Sequence, residues 1–330
     1  MLRKGIRSLL EQRLREEDKG SPEANQQHFG RLLDELRQSP IAIDTNSANE
    51  QHYEVPTEFY QLCLGRHLKY SSGYWREGIK DLDTSERDML ELTCSRAELK
   101  NGQSVLELGC GWGSLSLFMA DKFPDSHFKV VSNSRTQKQY IDQQAAERGL
   151  KNIEVITADM SVFSINETFD RVVSVEMFEH MRNYEKLLAK VAGFLNDKGK
   201  LFVHIFTHKE FAYKFEVRDE SDWMSKYFFT GGIMPSDHLL LYFNTDFRVE
   251  RHWKLSGLHY SKTSETWLQN MTANKSRIIS IFEKTYGKNQ AIKWFVYWRL
   301  FYMACAELWG YNNGNEWMVS HYLFNKTCNH

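Results

Sequence analysis

The stretch VLELGCGWG, residues 105–113, combines an apolar run with three glycines at every second position. The apolar run is typical of a buried β-strand. Gly109, Gly111 and Gly113 predict a turn so tight that a ligand or a helix lies against the backbone, where a Cβ would not fit. The stretch therefore predicts a strand that leads into a ligand-binding loop.

A second apolar stretch, VSVEMFEHM at residues 173–181, carries two carboxylates and an imidazole. Its first part predicts a strand that delivers Glu176, Glu179 and His180 together at its carboxyl end. In an open α/β sheet, ligands bind just outside the carboxyl ends of the strands. A glycine cradle at one strand end and acid–base groups at another together indicate an enzyme.

Strand and helix patterns alternate from Ser104 to about Phe206, which predicts a doubly wound parallel sheet with right-handed crossovers. The predicted strands are SVLEL, FKVVS, IEVIT, FDRVVSV and KLFVHIF, and the predicted helices are LSLFMADKF, TQKQYIDQQAAERG and YEKLLAKVAGFL. Further along, RVERHWKLSG and EWMVSHYLFN look like two late strands on either side of a helical, strongly aromatic region. We therefore expect a helical N-terminal cap at 1–95, a Rossmann-like core at 96–206, and cap insertions plus the last two core strands at 207–330.

Composition narrows the class of protein. The chain has 330 residues, of which 42% are hydrophobic, enough for one large core or a core with a cap. A formal net charge of -1 without a dense Lys/Arg run argues against a nucleic-acid partner. Scattered cysteines without a Cys-x-x-Cys pair favour a reducing compartment and argue against a zinc site.

Targeting signals are also weak in the sequence. No stretch approaches the roughly 20 apolar residues of a membrane span, and the N-terminal segment lacks the apolar core of a signal peptide. We expect a cytoplasmic protein with no stable membrane insertion. A homodimer is compatible with the sequence, which does not fix the oligomeric state.

The glycine loop reads Glu107-x-Gly-x-Gly-x-Gly, with its third glycine one residue earlier than in the dinucleotide-binding pattern. This form suits a ligand that has no phosphate and carries an amino-acid ammonium, such as S-adenosylmethionine. Two alternatives stay open from the residues alone. One is a nicotinamide site, and the other is a glycine turn that serves only close helix packing.

Seven segments carry a family resemblance: HYEVPTEFY, KYSSGYW, LELGCGWG, SNSRTQ, EMFEHM, HWKLSGLHYSKT and NNGNEWMVSHYLF. On these, the chain from about Glu50 to Lys326 resembles the cyclopropane fatty acid synthase and mycolic acid methyltransferase superfamily. Within it, the chain is most similar to the coclaurine and pavine N-methyltransferases. The resemblance implies an α/β, class I methyltransferase fold, a Rossmann-like, seven-stranded, mostly parallel sheet with a helical N-terminal and inserted cap. It also implies S-adenosyl-L-methionine as cofactor, S-adenosyl-L-homocysteine as product, and no metal.

The resemblance and the glycine motif together assign donor contacts to residues at three strand ends and one turn. These are Tyr70, Ser71, Glu107, Gly109, Gly111, Ser132, Asn133, Gln137, Asp159 and Met160. Each polar member of this set could instead cap a helix, and Ser134 or Asn133 before a helix has the form of a cap.

Two positions divide the lipid-modifying members of the superfamily from the amine methyltransferases. Where the lipid enzymes carry a Cys that helps hold bicarbonate, this chain has Ser72, and where they tend to carry Gly, it has Glu176. The rest of the bicarbonate site is still present as Glu179, His204 and Tyr260. The expected function is therefore S-adenosylmethionine-dependent N-methylation of a small, aromatic or alkaloid-like amine. The alternative is a lipid methyltransferase similar to cyclopropane-fatty-acyl-phospholipid synthase.

Amine chemistry accounts for the acidic cluster. A carboxylate pair can hold an ammonium, and a histidine beside it can take the proton that must leave before the nitrogen attacks a methyl group. We therefore expect Glu176, Glu179 and His180 to be catalytic. Alternatively, Glu179 and His180 cap the following helix and Glu176 is solvated.

The expected substrate contacts are Glu176, His204, Tyr260, Phe228 and Trp298. The aromatic surplus could wall a pocket for a cationic, ring-bearing amine, although we expect most of these residues to be core. The candidates are Tyr213, Phe215, Trp223, Tyr227, Phe228, Phe229, Trp294, Trp298, Phe301, Tyr302 and Trp309. A metal site on His204 and His208 and a non-catalytic scaffold are weaker alternatives, since no ligand set is complete and the glycine loop and acids are retained.

Overall fold

The computed structural model describes residues 1–43, 55–217 and 223–327. The first letters of the HYEVPTEFY segment, at 52–54, lie outside these ranges. The α-helices are α1 Leu2–Glu17, α2 Pro22–Gln38, α3 Thr57–Cys63, α4 Leu82–Arg96, α5 Ser114–Lys122, α6 Arg135–Glu147, α7 Tyr184–Gly193, α8 Trp223–Tyr227, α9 Gly257–Ala273, α10 Lys275–Tyr286 and α11 Lys288–Gly310. The strands are β1 Ser104–Leu108, β2 His127–Ser132, β3 Ile153–Thr157, β4 Phe169–Val175, β5 Leu195–His208, β6 Tyr213–Lys214, β7 Ile233–Met234, β8 Phe247–Leu255 and β9 Trp317–Lys326.

Seven strands form one sheet in the order β3-β2-β1-β4-β5-β9-β8, and β6 pairs with β7 in a small separate ribbon. The first five strands of the large sheet are parallel, and β9 runs antiparallel to both of its neighbours. The mostly parallel, doubly wound sheet predicted from the sequence is confirmed. The late strands β8 and β9 complete the same sheet, and the three-part division of the chain stays a prediction.

Strand β1 is mostly apolar because both of its faces are covered. Leu106 and Leu108 pack into the core on one face, and Val105 packs into the core on the other. Alternate residues of a strand point to opposite faces, so a strand buried on both sides reads as a continuous apolar run. Strand β5 begins at Leu195, earlier than the predicted Lys200. Its first part, LNDKG, carries polar residues that hide the strand pattern.

Helices α9, α10 and α11 build an aromatic cap over the carboxyl edge of the sheet, together with α1 and α3. Helix α1 is held on α11 by ion pairs from Arg3 and Arg7 to the buried Glu307, at 2.7 and 2.8 Å. No helix in the described ranges has the length and apolar character needed to cross a membrane.

The segment after α2 anchors the loop that carries Glu179 and His180. Ala42 forms an isolated β-bridge with Met181. The Asn183 side chain donates to the backbone oxygens of Arg37 and Ser39 at 2.7 and 2.8 Å. The N-terminal cap therefore fixes the position of the acidic loop.

Candidate active site

A cavity of about 590 Å³ lies over the carboxyl ends of β1 to β4. The strand ends supply polar groups on one side, and the cap supplies apolar and aromatic side chains on the other. All ten residues predicted as donor contacts line it: Tyr70, Ser71, Glu107, Gly109, Gly111, Ser132, Asn133, Gln137, Asp159 and Met160. Glu176, Glu179, His180 and Tyr260 line the same cavity. The structure thus brings the two predicted half-sites into one space.

The three glycines of the loop have different neighbours. A Cβ on Gly109 would lie 2.7 Å from the Met177 side chain, and one on Gly113 would lie 2.6 Å from Ile141. Close packing therefore accounts for these two glycines, as the packing alternative supposed. Gly111, at φ +52°, lines the cavity and has no protein atom within 4 Å of its Cβ position. The loop thus leaves open space for a ligand at Gly111.

Polar side chains of β1 and β2 are arranged around this loop. Ser132 donates to the Gln137 side chain at 2.6 Å, and Ser134 caps α6 by accepting from the Gln137 backbone N–H. Ser134 is therefore the residue that caps the helix, whereas Asn133 lies in the cavity wall. Burial raises the pKa of Glu107 to about 7, and a hydrogen bond from Ser116 opposes this rise.

Glu176 is held in an unusual backbone conformation. Its φ of +50° lies in the left-handed region, which costs an ordinary residue roughly 1–2 kcal/mol. Its carboxylate accepts from Tyr260 Oη at 2.7 Å, His204 Nε2 at 3.2 Å and Ser72 N at 3.3 Å. Strain of this kind clusters at functional sites. Here the strained backbone places the Glu176 carboxylate in the cavity wall, where it is hydrogen-bonded to protein groups. The alternative prediction that Glu176 is merely solvated is therefore wrong.

Glu179 is an ionisable residue in an unfavourable environment. It is fully buried, and neither of its carboxylate oxygens has a hydrogen-bond partner in the described part of the chain. Burial raises its pKa well above the usual range, and the nearby Glu176 raises it further. Because an orphaned buried carboxylate is costly, the arrangement is suited to a cationic partner.

The reading of Glu179 and His180 as helix caps is wrong. Both lie in a 3₁₀ turn at Phe178–His180, and the cap of α7 is Asn183, whose side chain accepts from the Lys186 backbone N–H. The His180 ring instead lies in the cavity wall, 4.7 Å from the ring of Phe229.

Three of the predicted substrate contacts do not reach the cavity. Phe228 and Trp298 are fully buried behind its wall, in contact with each other. His204 lies behind Glu176 and is also fully buried. Phe229, two residues after α8, and Phe301 of α11 line the cavity instead. Six of the aromatic candidates are liners, more than expected: Tyr213, Phe215, Trp223, Phe229, Phe301 and Trp309.

Sequence reasoning missed Lys69 and the contribution of α1. Lys69 is buried in the cavity wall and donates to Ser71. Burial lowers its pKa to about 8, against the opposing charges of Glu176 and Glu86. The sequence offered one indication of this role, because Lys69 directly precedes the predicted donor contacts Tyr70 and Ser71. Leu9, Leu10 and Arg13 of α1 also line the cavity, and no motif marked them individually.

His204 and His208, which the sequence offered as a metal-binding pair, are both engaged in hydrogen bonds with other protein side chains. His204 bonds to Glu176 and His321, whereas His208 bonds to Glu316. Over the described ranges, no group of three His, Cys, Asp or Glu side chains is arranged around a common point.

We predict that Glu179→Gln stabilises the ligand-free protein at pH 8 by about 1–3 kcal/mol. The folded-state pKa of Glu179 is raised, so folding either buries a charge or takes up a proton. Stability from such a group is full below the ordinary pKa of 4.5 and is lost as pH rises through the folded value. The melting temperature of the variant should therefore exceed that of the wild type at pH 8, with little difference near pH 4.5.

The exposed Glu77 provides the control. Glu77→Gln should leave the melting temperature close to that of the wild type at both pH values, because surface substitutions change stability little. Equal stability of Glu179→Gln and wild type at pH 8 would mean that Glu179 has a partner or is solvated.

The sheet order, with a glycine loop after β1 and ligand-facing groups at the next strand ends, defines a class I methyltransferase. Comparison with known proteins gives the family. Residues 42–315 match the family described as mycolic acid cyclopropane synthetase, and the chain belongs to this family.

Close relatives and a solved structure agree with this assignment. The chain is 42% identical to (S)-coclaurine N-methyltransferase of Thalictrum flavum subsp. glaucum, over 98% of this chain and 91% of the relative. It is 40% identical to pavine N-methyltransferase of the same plant, over 88% of this chain and 83% of the relative. It also matches the crystal structure of coclaurine N-methyltransferase bound to N-methylheliamine and SAH, with a TM-score of 0.95, 42% identity, and coverage of 98% and 94% of the two chains. The chain is an S-adenosylmethionine-dependent N-methyltransferase.

Proposed function

We propose that the protein methylates the nitrogen of a small, ring-bearing, alkaloid-like amine. The observation that carries this proposal is Glu179, a buried carboxylate that faces the cavity beside Glu176 without a partner in the described ranges. Relatives named for coclaurine and pavine support an amine of this class. The aromatic wall supports a cationic ring system, since aromatic faces attract cations.

The donor half of the cavity fits S-adenosylmethionine, which when bound supplies an activated methyl group on a sulfonium. The open space at Gly111 admits a ligand against the backbone. Ser132, Asn133 and Gln137 would hold the ribose, and Asp159 and Met160 would hold the adenine. Tyr70 and Ser71 would contact the amino-acid part.

In the acceptor half, Glu176 and Glu179 bind the substrate ammonium by charge-assisted hydrogen bonds. His180 then accepts the proton from the nitrogen, whose lone pair is freed to attack. The apolar and aromatic side chains of the cap lower the local dielectric constant, which strengthens the carboxylate–ammonium interaction in the cavity.

The lipid alternative is disfavoured by how Glu176 is bonded. The resemblance assigned Tyr260, His204 and the Ser72 turn to a bicarbonate site, and here all three donate to the Glu176 carboxylate. A bicarbonate ion would have to displace this carboxylate. A cytoplasmic location and a homodimer stay predictions from the sequence.

The test is a mass-spectrometric screen with S-adenosylmethionine labelled in its methyl group. Coclaurine and related secondary and tertiary amines form one arm, and vesicles of unsaturated phospholipid with bicarbonate form the other. We expect labelled N-methyl product from amines, undiminished by EDTA. Cyclopropane product from the lipid with no turnover of any amine would overturn the proposal.

A further inference from the structure

A buried chain of hydrogen bonds runs from the cavity to the last residue of α4. His204 Nε2 lies 3.2 Å from Glu176 Oε1. His321 Nε2 lies 2.9 Å from His204 Nδ1. Arg96 Nη1 lies 2.9 Å from His321 Nδ1. Both histidines are fully buried, and Arg96 packs over the ring of Trp253, with its guanidinium carbon 4.9 Å from the ring centroid.

The direction of this chain follows from the chemistry of its end groups. A guanidinium only donates hydrogen bonds, so Nδ1 of His321 must accept. Burial lowers the pKa of both histidines well below the usual range, and nearby cations lower it further, so each is neutral with a single N–H. His321 therefore carries its proton on Nε2 and donates to His204. His204 in turn carries its proton on Nε2 and donates to Glu176.

We propose that Arg96 and His321 are positioning residues that fix His204 in the tautomer donating to Glu176, and thereby favour the ionised form of Glu176 that binds the substrate ammonium. The second half of this proposal rests on the proposed amine methylation. The tautomer assignment itself rests on the three contacts and on the neutral state of both rings, and not on the proposed function. Neither Arg96 nor His321 lines the cavity, so both act through His204.

One consequence concerns the route of the proton. Nε2 of His204 already carries a hydrogen, so Glu176 cannot pass a proton to it. A proton taken from the amine therefore leaves on the cavity side, where His180 lies, and not through the protein toward Arg96.

Other charged and titratable groups also act on this chain, and a test must hold them constant. Lys69 and Tyr260 act on Glu176, which in turn raises the pKa of Glu179 and Cys305. Lys69 also acts on both histidines, and Tyr74 acts on Arg96. Substitutions at Arg96 leave all of these groups in place.

The direct test is ¹⁵N NMR of protein labelled at histidine, which reads the protonated nitrogen of each ring without substrate. Spectra of His204→Gln and His321→Gln variants assign the signals. In the wild type we expect both rings to be neutral and protonated on Nε2. A His204 protonated on Nδ1, or a cationic form of either ring at pH 7, would overturn the proposal.

Kinetics test the effect on Glu176. Arg96→Met should shift the acidic limb of the kcat/KM profile for the amine upward by about one pH unit, because Glu176 loses a fixed donor. The dissociation constant of S-adenosylmethionine should not change. Arg96→Lys, which also only donates, should restore the limb. The link to Glu176 would be overturned if the wild-type rings are protonated on Nε2 as expected but the acidic limb of the kcat/KM profile does not shift in Arg96→Met.

Arg171→Met is the matched control. The Arg171 guanidinium is buried near the same helix end but donates to the backbone oxygens of Ala97 and Asp170. This variant should lose stability without moving the limb. If no amine is turned over while the NMR shows the expected tautomers, the proposed function fails and the tautomer assignment stands.

Discussion

His180→Ala should lower kcat for the amine by about 10²–10⁴-fold, the usual contribution of a general base. The ring lies in the cavity wall against Phe229, and Asn183 performs the capping that would otherwise explain a histidine here. KM for the amine should change less, because the carboxylates that hold the ammonium remain. Steady-state rates at saturating donor, measured across pH, separate the two constants.

The donor affinity of His180→Ala, measured by calorimetry, should equal that of the wild type. His127→Ala is the control, since His127 is exposed at the amino end of β2, on the opposite edge of the sheet. The wild-type rate should rise with pH as the amine and base lose a proton, and this rise should weaken in His180→Ala. If the variant keeps the wild-type rate and profile, proximity to the donor does most of the catalysis and the histidine is structural.

The sheet and the donor half of the site could be predicted because their signals are local. A continuous apolar run followed by glycines specifies both a strand buried on two faces and its loop, as in 105–113. The carboxyl ends of parallel strands then gather at one edge whatever the rest of the chain does. For this reason Glu107, Ser132 and Asp159 reach one cavity although β1, β2 and β3 are separate in sequence.

The acceptor wall could not be predicted at the level of single residues. Phe228 and Phe229 are adjacent and chemically alike, yet one is core and the other lines the cavity. Trp298 and Phe301 differ in the same way on one helix, α11. The difference arises from how the segment after α8 packs against α11, which is a non-local property. The contact between Arg96 and His321 is of the same kind, since it joins residues 225 positions apart.

Glu176→Gln should raise KM for the amine by about 30-fold or more, since losing one partner of a buried charge pair costs about 2–5 kcal/mol. The amide keeps the shape of the side chain and loses its charge. Tyr260, His204 and Ser72 all donate to the carboxylate. In the glutamine variant, the amide N–H groups would therefore face at least one of these donors, which is unfavourable. Donor binding should be preserved. The double variant of Glu176→Gln and His180→Ala should cost more than either change, although less than the sum, because the residues act as one unit.

Two further variants separate the carboxylate from the backbone that carries it. Glu176→Gly and Glu176→Ala both remove the acid, so both should lose amine binding. Only glycine relieves the φ of +50°, so the glycine variant should be more stable than the alanine variant by about 1 kcal/mol, measured by denaturant unfolding. This pair distinguishes a strained, functional glutamate from a structural one. If the alanine and glycine variants are equally stable, the strain is absent. If either one binds the amine as well as the wild type does, Glu179 holds the ammonium alone.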